Sequence, residues 1–272
     1  MFKDIAIHLT GSDADQRRIA AAASIAQMFD AHLCCLQVHE MAEVLAITDP
    51  SGSAYLQDLI LQSAERAAEI GVGLRAALAA TSLRHTLSRL DTYPGAAGDA
   101  LADRVRLSDL FVGTRPYGDP LGQHAIEEAV LFKSGRPCLF LSPFQPSPPD
   151  LSRIYVAWKN TREAARALAD AMPLLKRARQ VVIGIIEEHP ASSTIAGVDV
   201  GRLLSRHGVH ADIRNAPAGP DTGATILDEA WKAEAGLIVM GAYGHSRFRE
   251  WLLGGATRHV LSNAPVPVLV SH

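Results

Sequence analysis

The sequence predicts two tandem α/β domains, each an open, doubly wound sheet of mainly parallel strands. Three observations lead there. The chain has 272 residues, too many for most single cores and suited to two domains of roughly 130–140 residues each. Short apolar runs that lack a polar face alternate with alanine-rich segments of helical spacing, as in a parallel sheet covered by helices on both sides. The order of these elements restarts midway along the chain and repeats.

The first apolar run, Ile5-Ala6-Ile7-His8-Leu9, stops at the turn-forming cluster Thr10-Gly11-Ser12-Asp13. Ile19, Ala22, Ala23, Ala26 and Phe29 then recur at helical spacing, which predicts a helix from Asp15 to about Asp30. A strand follows over Leu33 to Val38. Next, a loop bearing Gly, Ser and Pro leads into a helix running to about Gly71, marked by Leu59-Ile60-Leu61, Ala64, Ala67 and Ala68. A weaker strand signal spans Thr86 to Leu90. A helix near Ala96 to Arg106, the strand Leu110 to Val112, a helix near Gln123 to Leu131 and the strand Cys138 to Leu141 complete the half.

Residues Pro143 to Asp150 read Pro-Phe-Gln-Pro-Ser-Pro-Pro-Asp, which can continue neither a helix nor a central strand. This boundary divides the chain into domains 1–143 and 151–272. Beyond it the pattern restarts with the strand Ile154 to Trp158, the turn Lys159-Asn160-Thr161 and a helix from Arg162 to Leu175. Strands at Val181 to Ile186, Ala211 to Asn215, Leu237 to Met240 and Pro267 to Val270 follow. Helices near Val200 to His207, Thr222 to Ala233 and Thr257 to Ser262 separate them. The strand Leu110-Phe111-Val112 echoes Leu237-Ile238-Val239, and Pro137-Cys138-Leu139-Phe140 echoes Pro267-Val268-Leu269-Val270.

Composition narrows the function. Hydrophobic residues make up 48% and charged residues 20%, and the formal net charge is -3. That balance lacks the positive field that nucleic-acid backbone binding requires. No apolar run approaches the ~18 residues of a membrane span, and the N-terminus has no leader pattern. Cys34, Cys35 and Cys138 are the only cysteines; an odd count with an adjacent pair implies no disulfide framework, and a cytoplasmic setting is expected.

One segment carries chemistry. Gly241-Ala242-Tyr243-Gly244-His245-Ser246 directly follows an apolar strand, and Gly254-Gly255-Ala256-Thr257 opens the next helix, giving the spacing Gly-x2-Gly-x9-Gly. Glycines at the end of a parallel strand admit a phosphate close to the backbone, and the helix start adds N–H donors and a favourable dipole. Ser246 and Thr257 offer hydroxyls to the same group. Ligands of open α/β sheets bind at this edge, outside the carboxyl ends of the strands.

The run Val239 to Ser246, with Gly254-Gly255 and the closing Asn263-Ala264-Pro265-Val266-Pro267-Val268-Leu269-Val270, resembles the C-terminal signature of the universal stress protein family. The resemblance extends over the chain as two copies. It implies a five-stranded, Rossmann-like parallel sheet per domain and dimer-like pairing through the last strand, here between two pseudo-symmetric domains of one chain. It also implies, in one subgroup, ATP or AMP held by the glycine-rich loop, with Mg accompanying ATP. Gly241, Gly244 and Gly254 match the motif's three glycines, and His245 and Ser246 fall between the second and third. Gly255 stands where nucleotide-binding members usually carry Ser or Thr, and Thr257 lies two residues on. Lys159, beside Asn160, stands where such members tend to carry an Asp for the ribose or adenine; a lysine suits a phosphate or another anion.

The first-half counterpart, Gly113-Thr114-Arg115-Pro116-Tyr117-Gly118-Asp119-Pro120, has two prolines that remove donors and an Asp where a phosphate would lie, so no nucleotide is expected there. The histidines show no metal-binding spacing. No Ser–His–Asp arrangement, paired carboxylate motif or P-loop lysine is evident. The expectation is a stress-response protein that binds an adenine nucleotide or another anion in its C-terminal domain, with catalysis limited to slow ATP hydrolysis. The alternative is a dimeric interaction module without a nucleotide, with the homodimer as a further expectation.

Overall fold

The computed structural model describes residues 1–41, 50–118, 124–143, 148–187, 190–242 and 255–272. The N-terminal half runs β1 (Asp4–Leu9), α1 (Ala14–Phe29), β2 (His32–Glu40), α2 (Pro50–Ala79), β3 (His85–Thr92), α3 (Ala97–Val105), β4 (Leu110–Thr114), α4 (His124–Lys133) and β5 (Cys138–Leu141). The C-terminal half runs β6 (Arg153–Trp158), α5 (Arg162–Leu175), β7 (Gln180–Glu187), α6 (Pro190–Arg206), β8 (Asp212–Pro217), α7 (Thr222–Lys232), β9 (Leu237–Gly241), α8 (Ala256–Asn263) and β10 (Val268–Ser271).

Two elements depart from expectation. The Gly/Ser/Pro stretch expected as a loop opens α2, with Pro50 at the first helical position, where its missing N–H has no partner to lose and its fixed φ suits the helix. Helix α6 likewise begins at Pro190, ahead of the expected start near Val200.

All ten strands form one sheet in the order β3-β2-β1-β4-β5-β10-β9-β6-β7-β8. Within each half every pairing is parallel. The halves meet at the antiparallel pair β5–β10, where Phe140 faces Val268, Leu139 faces Leu269 and Cys138 faces Val270. The dimer-like pairing through the last strand is therefore made within the chain. Because β5 and β10 run oppositely, the carboxyl edges of the two half-sheets point in opposite directions.

Two apolar layers cover the sheet. One joins α1, α2, α5 and α6 to Ile7, Leu139, Val156 and Leu269; the other joins α3, α4, α7 and α8 to Phe111, Phe140, Tyr155 and Val270. Both layers cross the β5–β10 joint, so the two repeats share one continuous core. Cys34 and Cys35 point to opposite faces, Cys35 into the first layer and Cys34 against the second, as strand alternation requires.

Candidate functional site

Strands β6 and β9 are neighbours, with Ala157 beside Met240, so the ends that carry Lys159-Asn160 and Gly241 lie together at one sheet edge. Helix α8 follows β9 and precedes its parallel neighbour β10, which brings Gly255, Ala256 and Thr257 to that same edge. Of the residues predicted from sequence, Lys159 and Asn160 are exposed, Ala256 is half-buried and Thr257 is buried. Gly244, His245, Ser246 and Gly254 lie outside the described residues.

The glycines do different work. Gly241 sits against the first turn of α5: a Cβ there would lie 2.5 Å from the Ala164 backbone N and 2.6 Å from the Glu163 carbonyl carbon. Its missing side chain admits this helix, so close packing explains it without a ligand. Gly255 caps α8 in extended geometry, φ -54° and ψ 158°, which any residue adopts.

Three helix starts converge here. Thr161 caps α5 by accepting from Ala164 N at 3.3 Å. Asp221 caps α7 by accepting from Gly223 N at 2.7 Å and Ala224 N at 3.2 Å, and its other oxygen lies 2.7 Å from His259 Nδ1 on α8. A Cβ on Gly223 would meet His259 Cβ at 2.6 Å and the Ala256 carbonyl oxygen at 3.0 Å, so the α7 start sets the position of the α8 start. The buried Glu163 carboxyl is held below its usual range by its own backbone N–H and then by Arg162, against the opposing effect of burial.

The equivalent edge of the N-terminal half is built from charge. Asp15 accepts from Thr10 N at 3.0 Å and Gly11 N at 2.7 Å and pairs with Arg18 at 2.7 Å. Arg18 also donates to Thr114 Oγ1 at 2.6 and 2.9 Å. His8 Nδ1 lies 3.1 Å from Glu127 Oε1, both side chains fully enclosed, and Glu127 Oε2 has no protein partner. Glu127 precedes Pro137 by ten residues, as Thr257 precedes Pro267. By helix position Asp15, two after the α1 cap, corresponds to Glu163, two after the α5 cap, so both edges keep that carboxylate, and the difference lies at Glu127, where the other edge has the Thr257 hydroxyl.

The β4 end of the N-terminal half instead packs on its partner domain. Arg115 donates to the Ala264 carbonyl at 3.3 Å and the Gly118 carbonyl at 3.0 Å, and Gly118, at φ +75°, lies against the Ser262 backbone. Asp119 and Pro120 of the sequence argument lie outside the described residues. Trp158, at the end of β6, packs against the core. Among the described residues there is no cluster suited to a metal and no helix long and apolar enough to cross a membrane.

One constellation escaped the sequence. Ser63, His39 and Asp91, on α2, β2 and β3, are hydrogen-bonded in a chain, which corrects the expectation of no Ser–His–Asp arrangement. Their separations, 24 and 52 residues from His39, form no local motif; only the β2–β3 register and the α2 packing unite them.

A tandem of doubly wound α/β domains, with helix starts gathered at the carboxyl edge of each half-sheet, is the class that fold and site define. Residues 150–272 match the family model for the universal stress protein family. The C-terminal half therefore carries a domain of the universal stress protein family, and the N-terminal half repeats its fold. A universal stress protein of Archaeoglobus fulgidus DSM 4304 is similar at 17% identity and TM-score 0.76, with 98% of this chain and 95% of that one covered. A putative universal stress protein of Pseudomonas aeruginosa UCBPP-PA14 is similar at 17% identity and TM-score 0.58, covering 99% and 93%. The comparison with curated proteins returns no match.

Proposed function

We propose that the protein is a stress-response nucleotide receptor that binds one adenine nucleotide, ATP with Mg or AMP, at the carboxyl edge of its C-terminal half-sheet. The observation that carries this reading is the contrast between the two edges. In the N-terminal half Asp15 takes the backbone donors of the β1–α1 turn and Glu127 places a buried carboxylate at the start of α4, and both repel an incoming phosphate. At the C-terminal edge Thr257 stands in place of Glu127, Glu163 is engaged by its own backbone N–H and Arg162 and not by the turn donors, Lys159 brings a cation, and the α8 start adds a helix N-terminus. Lys159 favours the phosphates over the ribose, so affinity is expected to rise with phosphate number.

Calorimetric titration of the full chain with Mg-ATP, ADP, AMP and inorganic phosphate tests this. One site per chain is expected, tightest for ATP and lost in Gly244→Asp, which puts a charge and a side chain into the glycine-rich loop. Absence of binding to all four in the folded wild type would instead favour an interaction module without a nucleotide. Phosphate competing as well as AMP would reduce the site to anion recognition.

A further inference from the structure

The Ser63–His39–Asp91 chain lies in the other half of the molecule, at the carboxyl ends of β2 and β3. His39 and Asp91 are direct cross-strand partners. Gln37, one pleat earlier on the same face, donates to the Ala67 carbonyl of α2 at 2.8 Å. This anchors the helix so that Ser63, one turn before Ala67, lies over His39.

The hydrogen-bond directions follow from the groups. The Asp91 carboxylate only accepts, so the 2.8 Å contact with His39 Nδ1 places the ring proton on Nδ1. In the neutral ring Nε2 is then a bare acceptor, and the Ser63 hydroxyl, 2.9 Å away, donates to it. Asp91 is fixed in turn by Arg89, at 3.0 Å to Oδ1 and 3.1 Å to Oδ2. Burial acts to raise the Asp91 carboxyl, but the hydrogen bonds from His39 and Arg89 outweigh it and hold it below the usual range, so it stays ionised. Ser63 is only half-buried and the Asp91 side chain is 41% exposed, so small molecules reach the site.

From this geometry we propose that Ser63 is an activated nucleophile, with His39 as its general base and Asp91 as the group that orients the base, and that it takes acyl groups from activated carboxylic esters. The arrangement is the order of roles that defines a serine triad, independent of chain order. Ser63 Oγ bonds to the ester carbonyl carbon while its proton passes to His39 Nε2. The C–O bond of the leaving group then breaks, and the departing alkoxide takes that proton. Water releases the acyl group as the acid by the same route. Ser63 sits inside a helix, where neighbouring N–H groups are committed to carbonyls one turn back, so no adjacent backbone pair serves the oxyanion. Turnover is therefore slow, and the acyl-enzyme is the species to detect.

The test treats the full-length wild type with 4-nitrophenyl acetate and, separately, with an alkyl fluorophosphonate, followed by intact mass and peptide mapping. One adduct per chain on Ser63 is expected, with a stoichiometric burst of 4-nitrophenolate. The adduct should disappear in Ser63→Ala and His39→Gln and form at least about tenfold more slowly in Asp91→Asn. Mapping on the wild type requires no variant to fold, and circular dichroism establishes that the variants do. No adduct on the folded wild type, adducts only elsewhere, or labelling of Ser63 that survives His39→Gln would overturn the proposal.

Discussion

At the residue scale the N-terminal half places Glu127 where the C-terminal half has Thr257. His8 and Glu127 form an enclosed pair with one carboxylate oxygen left without a protein partner. Breaking such a pair strands a buried charge and costs about 3–5 kcal/mol, whereas neutralising it in place removes the charge that needs a partner. His8→Ala is therefore expected to lower the urea midpoint far more than Glu127→Gln. Gly255 needs no positive φ, so Gly255→Ser fits the backbone. It should stabilise α8 by only a few tenths of a kcal/mol and, on the nucleotide proposal, tighten ATP in the titration. The thiols set a pH dependence. Burial pushes the Cys35 thiol up from 9.0 to about 12, and Cys34 and Cys138 are raised in the same direction for the same reason. Above the ordinary cysteine value the unfolded chain gives up protons that the folded chain keeps, so stability falls as pH rises from about 9 towards 12. A urea midpoint that declines across this range in the wild type, and less steeply in Cys35→Ala, is the expected measurement.

At the element scale close contacts between a strand end and a helix start shape the C-terminal edge. Gly241→Ala drives a Cβ into the α5 backbone and Gly223→Ala drives one into α8; each is expected to cost about 1–3 kcal/mol by overpacking. The two separate under ligand titration: Gly223→Ala displaces the helix start that faces the proposed phosphates and should weaken ATP, while Gly241→Ala lowers stability with or without ligand. Most elements were legible because their signals are local. Helix α5 and strand β5 have the predicted ends, Arg162–Leu175 and Cys138–Leu141. The starts of α2 and α6 were not, because a proline such as Pro50 or Pro190 fits a loop and the first turn of a helix equally well.

At the scale of the whole molecule the joint β5–β10 unites the two repeats in one sheet, which predicts that they unfold together. Leu139 and Leu269 face each other across it, fully buried, and truncating either to Ala should cost about 2–5 kcal/mol. All three tryptophans, Trp158, Trp231 and Trp251, lie in the C-terminal half. In Leu139→Ala, a substitution in the other half, tryptophan fluorescence and far-ultraviolet circular dichroism should therefore report a single, equally shifted unfolding transition; separate transitions would show that the halves unfold independently. The sequence by itself determined the α/β alternation, the duplication and the glycine-rich segment at the end of β9, since periodicity and glycine spacing act within a few residues of where they are read. Tertiary structure alone decided that Gly241 is a packing glycine, that Asp15 and Glu127 close the N-terminal edge, and that Ser63, His39 and Asp91 meet. Those facts depend on strand register and helix placement, which bring together side chains that are far apart along the chain.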